Sequence, residues 1–291
     1  MAAKIILGTV QFGLDYGINN QSGKPDQNTV TAILDLAFKN NIGLLDTAEA
    51  YGDSQEVIGN YHRRSHNRFK VITKFGSGRK DLSPDLHERI SQNLNTLGTD
   101  SLHGYMFHSF KDFETYFPVY GESIMSLKKA GLIHNFGVSI YTNKEFEKLL
   151  GHKGIDFVQL PFNLLDNNFQ RAALIKQANE KGIAVHTRSV FLQGLFFKDG
   201  NNLPVKLQAL RPYLDEIKHL SISQHLDLND VALNYAMQQK DISHVLIGVD
   251  SVDQLSKNIS SLRHTISNDM LTQIDAIQVK ETELLNPSNW N

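Results

Sequence analysis

Four side chains that can hold or move protons stand beside three apolar runs of this sequence. Asp46 ends the run Ile42 to Leu45, and Tyr51 follows in the short polar loop after it. Lys74 closes Val71-Ile72-Thr73, and His108 closes Tyr105-Met106-Phe107. Each is ordinary alone, since an Asp at a strand end commonly caps a turn and a Tyr commonly packs. Successive strands that each deliver one such group at the same end are another matter. A phenol and an imidazole then become proton donors to one reacting oxygen, and a carboxylate holds a cation beside them.

The elements that must position these groups repeat along the chain. Lys4 to Leu7 reads as a first strand, with Gly8-Thr9-Val10-Gln11-Phe12-Gly13 as the loop after it. Gly13 to Pro25 is an unusually long polar loop, expected at a pocket rim. Val30, Ile33, Leu34, Ala37 and Phe38 have the spacing of one buried helical face. Strands are expected over Lys70 to Lys74, Leu102 to His108, Asn135 to Ser139, Phe157 to Pro161, Ala184 to Ser189 and His244 to Val249. Between them the pattern predicts helices over Ser54 to Ser65, Ser83 to Leu97, Tyr116 to Lys129, Asn143 to Leu150 and Asn168 to Lys181. Two further helices precede the last strand, and Ser251 to Ser261 follows it. Gly131, Gly154 and Gly182 sit where helix stops belong. Strands and helices in this alternation predict an α/β fold of the (β/α)8 TIM-barrel class in a single domain, with all strand C-terminal ends feeding one face. A helix near Asn268 to Ile277 and a tail to Asn291 are appended, about 262–291.

Bulk properties bound the partners. The chain has 291 residues, enough for one α/β barrel, with 41% hydrophobic and 21% charged residues. A net charge of -2 argues against nucleic acid, whose phosphates need a basic surface. No run reaches the roughly 20 apolar residues of a membrane helix, and Met1-Ala2-Ala3-Lys4 leads into a strand without a signal-type core, so the expectation is cytoplasmic with no membrane partner. With no cysteine, thiolate chemistry is excluded.

The block Asp46-Thr47-Ala48-x-x-Tyr51-Gly52, with Lys74 in Val-Ile-Thr-Lys and His108 after the fourth strand, resembles the aldo-keto reductase family. The resemblance runs from about Gly8 to Asn258 and implies Asp46, Tyr51, Lys74 and His108 as catalytic residues. It also implies a barrel; the hairpin that usually precedes it has almost no room here, so it is reduced or absent. The implied reaction is reduction of a carbonyl on an aldehyde, ketone or sugar hemiacetal. Tyr51 would be the proton donor, Lys74 would favour the phenolate, Asp46 would hold that lysine charged, and His108 would orient the carbonyl oxygen.

Hydride needs a carrier, and the resemblance implies NADPH by default, with NADH open. Gly8, Thr9 and Val10 match the first-strand cofactor loop, and Asp46, Ser139 and Gln159 the nicotinamide end. The Asn that usually follows that serine is Ile140, which weakens one contact. Arg188 and Ser189 fall at the end of the seventh strand. Gly248, Ser251, Gln254 and Asn258 fall in the adenosine-phosphate segment, where a helix N-terminus can receive phosphate. The basic residues expected for the 2′-phosphate are replaced by Gly248 and Gln254. Arg188 stands where an aromatic ring often stacks on nicotinamide. It has two readings: a stacking plane, or a clamp for a substrate anion.

Other candidates are set aside. His62 and His66 are four apart, which is ligand spacing, but Arg63 and Arg64 beside them point to an exposed helix face. Gly76-Ser77-Gly78-Arg79-Lys80 lacks P-loop context and reads as a mobile loop. Trp290 either folds over the pocket or ends a frayed tail. The stretch Thr9 to Ile18 looks like members of bacterial carbohydrate and surface-polysaccharide metabolism, which makes a sugar derivative the favoured substrate. Two other classes compete: a cofactor-binding regulatory protein on the same barrel, and a metal-dependent hydrolase, which lacks the ligand clusters it would need.

Overall fold

A computed structural model describes residues 2–18, 20 and 23–290. The expected loop residues Asn19, Gln21 and Ser22 lie outside the described residues, as do Met1 and Asn291.

Strands β1 (Ile5–Gly8), β2 (Leu44–Asp46), β3 (Lys70–Phe75), β4 (Leu102–Phe107), β5 (Ile133–Ser139), β6 (Phe157–Pro161), β7 (Ala184–Arg188) and β8 (His244–Gly248) are parallel. They pair in chain order and close on themselves, with Gly8 opposite both Asp46 and Gly248. The (β/α)8 barrel expected from the alternation is therefore the fold. Helices α1 (Val10–Gly13), α2 (Gln27–Lys39), α3 (Ser54–Arg64), α4 (Leu86–Leu97), α5 (Phe110–Lys129), α6 (Asn143–Leu150) and α7 (Asn168–Glu180) follow the first strands in turn. Next come α8 (Arg211–Ser223) and α9 (Leu228–Met237) before β8, then α10 (Val252–Ser261) and α11 (Asn268–Asp275). Among the described residues, no helix is long and apolar enough to cross a membrane.

Parallel strands covered on both faces bury apolar side chains on each of them. Ile6, Leu44, Ile72, Met106 and Phe157 fill the barrel interior, while Ile5, Leu7, Val71, Tyr105 and Phe136 face the helices. The opposite end from the tetrad is closed by side chains. His186 stacks on Phe157 with ring centres 4.7 Å apart and meets His244 edge-on at 4.7 Å. No hairpin precedes β1 among the described residues. Ala2–Lys4 is one 3-10 turn, and the Lys4 ammonium donates to Met237 O (2.9 Å) and Gln239 O (2.7 Å) at the end of α9.

Several sequence expectations shift. The stretch after β1 is not all loop, because Val10–Gly13 makes one helical turn. The helix expected from Tyr116 starts at Phe110, since the Ser109 hydroxyl accepts from the Asp112 N–H at 3.0 Å and Pro118 is absorbed within the helix. α4 begins at Leu86 because Asp85, not Ser83, is its cap, accepting from Glu88 N–H at 2.9 Å. Phe38 sits at the edge of its helix face, 38% exposed, against Phe69. Gly131 and Gly182 directly follow the caps of α5 and α7, each with φ of 74°, whereas α6 already ends at Leu150 with Gly151 as its cap and Gly154, φ 85°, lies in the loop beyond it.

The His62 reading is corrected. His62 is buried, its Nδ1 2.8 Å from Leu97 O while Nε2 accepts from Phe69 N–H at 3.3 Å, so the ring pins α3 to α4 and to the start of β3. His66 is exposed, as its charged neighbours suggest. The loop Gly76 to Lys80 is tied down: Gly76 N–H donates to Glu49 Oε2 at 2.6 Å and Arg79 donates to Glu49 O at 2.7 Å.

Candidate active site

The strand ends open into a cavity of about 900 Å³. Asp46, the last residue of β2, is buried, and one of its oxygens holds the Lys74 ammonium while the other accepts from Gln159 Nε2 at 2.8 Å. Lys74 is 1% exposed, and its three N–H donors have three partners: Asp46, Thr47 O at 3.0 Å and the Tyr51 hydroxyl at 3.3 Å. The Tyr51 ring meets the His108 ring edge-on, with centres 5.5 Å apart. All four expected catalytic residues thus lie together on one cavity wall.

Their electrostatics follow from burial and neighbours. Burial pushes the Lys74 ammonium down, the Asp46 carboxylate and the Tyr51 phenol push it back, and the lysine ends above its ordinary value. It stays charged. Burial, helped by the charges of Lys74 and Arg188, pushes His108 down to about 3. Its ring is therefore neutral near pH 7, able to donate one N–H without adding a charge.

The Tyr51 loop is held by close backbone packing. A Cβ on Gly13 would lie 1.9 Å from Tyr51 O, and one on Gly52 would lie 2.3 Å from Gly13 O, so only glycine lets these two turns touch. The Ser54 hydroxyl joins the same turns, 2.9 Å from Thr9 O and from Thr9 Oγ. Glu49, two residues before Tyr51, is a buried carboxylate and accepts from Arg89, Asn93, Tyr105 and Gly76 N–H. It binds the Tyr51 loop to the end of β3 and to α4. The sequence carries no sign of it, because its partners are up to 56 residues away.

The expected cofactor residues gather on the same cavity, with one exception. Gly8, Thr9, Val10 and Ser139 line it near the tetrad, as does Gln159, whose amide N–H is already given to Asp46. Arg188 and Ser189 line it too, and Gly248, Gln254 and Asn258 line its far end. Ser251 does not. Its hydroxyl caps α10 by accepting from Gln254 N–H at 3.3 Å, and the Gln254 side chain caps it again by accepting from Asp250 N–H at 3.1 Å. Ile140 is buried apolar packing. The long first loop forms a rim, as expected, through Asp15, Tyr16, Gly17 and Ile18. Trp290 folds against the cavity, its indole N–H donating to Leu284 O at 2.8 Å.

Sequence reasoning missed Gln11, Tyr141 and the pair Tyr16–Gln193. The Gln11 amide fills the space over Gly248, where a Cβ would approach its nitrogen to 2.6 Å, and its oxygen is buried without a partner. Gln193 Nε2 donates to the Tyr16 hydroxyl at 2.7 Å, joining residues 177 apart across the mouth. Only Tyr141, two residues beyond Ser139 at a strand end, offered a signal that could have been read.

A family model described as "Aldo/keto reductase family" matches residues 4–279. The chain belongs to the aldo/keto reductase family. Aldo/keto reductases are oxidoreductases that use nicotinamide cofactors, and oxidoreductase activity comes with membership. An uncharacterized oxidoreductase of Bacillus subtilis, YqkF, is 22% identical over 276 residues, covering 88% of this chain and 89% of its own. An NADH-specific methylglyoxal reductase of Escherichia coli is 23% identical over 269 residues, covering 80% and 82%. Among solved structures, an aldo-keto reductase of Bacillus halodurans in its holo form superposes with TM-score 0.74 at 19% identity over 94% of this chain and 92% of that one.

Proposed function

We propose that this aldo/keto reductase reduces the carbonyl of a small aldehyde, ketone or sugar derivative, using NADH or NADPH, with Tyr51 as proton donor. The observation that carries the reading is the Lys74 ammonium, which spans from Asp46 to the Tyr51 hydroxyl at 3.3 Å on the cavity wall.

A phenol gives up its proton readily only where the phenolate left behind is stabilised. Lys74 stands at that oxygen, and Asp46 keeps it charged although it is buried. Gln159 in turn fixes Asp46. The neutral His108 ring can donate its N–H to the carbonyl oxygen and aim it at Tyr51, an oxyanion-type contact that adds no competing charge. Proton transfer of this kind contributes about 10²- to 10⁴-fold in rate.

The cofactor supplies hydride to the carbonyl carbon when bound. The residues present fit such a group: the cavity is long enough to run from the tetrad to α10, Gly248 carries no side chain, and the Gln11 oxygen there lacks a partner. Gly8, Thr9, Val10, Ser139, Gln159 and Asn258 would hold it. The E. coli relative named for NADH and methylglyoxal supports NADH and a small 2-oxoaldehyde as first trials, and the Thr9 to Ile18 stretch supports sugar derivatives.

The test is a carbonyl panel with each cofactor, run on wild type and Tyr51→Phe. Turnover should fall at least about 10²-fold in the variant, while calorimetric cofactor affinity stays within a few fold. A variant keeping more than about a tenth of the rate would remove Tyr51 from the proton-donor role.

A further inference from the structure

Arg188 is the last residue of β7, half-buried, and lines the cavity with Tyr51, Lys74 and His108. One face of its guanidinium lies on the Tyr141 ring, 4.1 Å from the ring centre. Its polar contacts are poor for a group with five donors: Ile140 O at 3.3 Å and Ser189 Oγ at 3.4 Å, both beyond the usual N–H···O range. Among the described residues no carboxylate pairs with it, although Asp15 and Asp250 line the same cavity. Every other arginine or lysine buried near the barrel end is satisfied, Lys74 by Asp46, Arg89 by Glu49 and Arg171 by Asp166.

A half-buried cation kept without a counter-ion costs desolvation that its contacts do not return. The backbone beside it is unusual as well. Ser189, Leu192 and Gln193 take φ of 61°, 45° and 53°, and Ser189 O is held there by Asn163 Nδ2 at 3.2 Å. Three non-glycine residues in the left-handed region within five positions is strain of the kind found where a site must aim a group. The charge reaches the chemistry, since Arg188 is one of the groups that keep His108 neutral.

We infer that Arg188 is the specificity-determining residue of this site and that the substrate is an anionic carbonyl compound, one bearing a carboxylate or phosphate that the guanidinium fork grips while Tyr51 and His108 face the carbonyl. The inference rests on the carbonyl-reduction reading above. Tyr141 takes up one guanidinium face without consuming its donors, on a side chain that lines the cavity. An oxyanion suits those donors, because a planar fork matches the spacing of two anionic oxygens.

The experiment compares matched pairs: succinic semialdehyde against butanal for carboxylate, and glyceraldehyde 3-phosphate against glyceraldehyde for phosphate. Wild type should prefer the anionic member of at least one pair by tenfold or more in kcat/KM. In Arg188→Met that anionic-to-neutral ratio should fall by about 10- to 100-fold, the range of a charged hydrogen bond, and chiefly through KM. Arg188→Lys, which keeps charge but not the fork, should restore part of it. Equal use of both members of both pairs by wild type, or a ratio that Arg188→Met leaves unchanged while cofactor affinity falls, overturns the inference and makes Arg188 a cofactor-stacking residue. A second arm needs no turnover. Calorimetric binding of 4-hydroxybutyrate and glycerol 3-phosphate to the cofactor-loaded protein should weaken in Arg188→Met by the same factor. If wild type reduces no carbonyl, the reading of the reaction fails, and this binding arm still decides the role of Arg188.

Discussion

Replacing Lys74 with Met separates the electrostatic part of the proposed mechanism from the proton donor itself. The ammonium lies 3.3 Å from the Tyr51 hydroxyl, in a wall where it is 1% exposed. Two unit charges at that distance interact by about 5 kcal/mol with the effective dielectric of about 20 that suits protein sites. At about 1.4 kcal/mol per decade, losing this stabilisation of the phenolate should lower kcat by about 10³- to 10⁴-fold. Methionine fills most of the lysine stem but leaves Asp46 buried with Gln159 as its remaining side-chain donor. Breaking a buried pair in this way costs roughly 3–5 kcal/mol of folding stability. The assay is single-turnover oxidation of bound cofactor with saturating carbonyl, at a temperature where circular dichroism shows both proteins folded. Asp46→Asn/Lys74→Met should recover stability and not rate, because no orphan carboxylate remains and no cation has returned. A Lys74→Met protein that is folded and keeps more than a tenth of the wild-type rate would refute the reasoning, since the phenolate would then need no ammonium.

Gly248 and the self-capped Gln254 offer no cation to a 2′-phosphate, Lys257 is paired with Asp227 at 3.2 Å, and Asp250 adds a like charge to that end of the cavity. Calorimetry should therefore find NADPH preferred over NADH by less than about a hundredfold, if at all, and a thousandfold preference would contradict this. Gly13→Ala should lower both turnover and stability, the latter by about 1–3 kcal/mol, because its methyl would meet Tyr51 O at 1.9 Å. Gly43→Ala, with open space around the new methyl, is the control. Acid should destabilise the fold through its buried histidines. Burial, with His244 and His103 nearby, holds His186 well below its ordinary value, so the unfolded chain binds that proton first. The resulting stability is complete above about pH 6.5 and is lost as pH falls below it. Urea midpoints should drop between pH 7 and pH 5, and by less in His186→Leu; an equal drop in both would assign the acid loss elsewhere.

What could be read in advance was what repeats or what is local. The barrel followed from apolar runs alternating with helical faces, and Asp46, Tyr51, Lys74 and His108 from polar types at successive strand ends. Contacts between distant segments left no trace. His62 looked exposed because Arg63 and Arg64 flank it, yet a helix shows neighbours in sequence to different sides, and its inward face meets Leu97 O. Glu49 gave no signal in its loop, although four residues from three other segments converge on it. Ser251 read as a ligand for phosphate because helix starts bind anions, and the structure spends that hydroxyl on the helix itself. Arg188 was visible as an oddity, while its stacking on the Tyr141 ring, 47 positions earlier in the chain, was not.

The indole of Trp290 is the chain's single tryptophan, and it is fastened to Leu284 O on the wall of the cavity. An indole emits in the band where a reduced nicotinamide ring absorbs, so one residue makes the whole protein its own optical gauge of occupancy. Emission excited in the indole band carries no contribution from any other tryptophan, and its quenching can be followed in a stopped-flow instrument without a label or a coupled reaction. The arrival and departure of ligands can thus be timed separately from the chemical step.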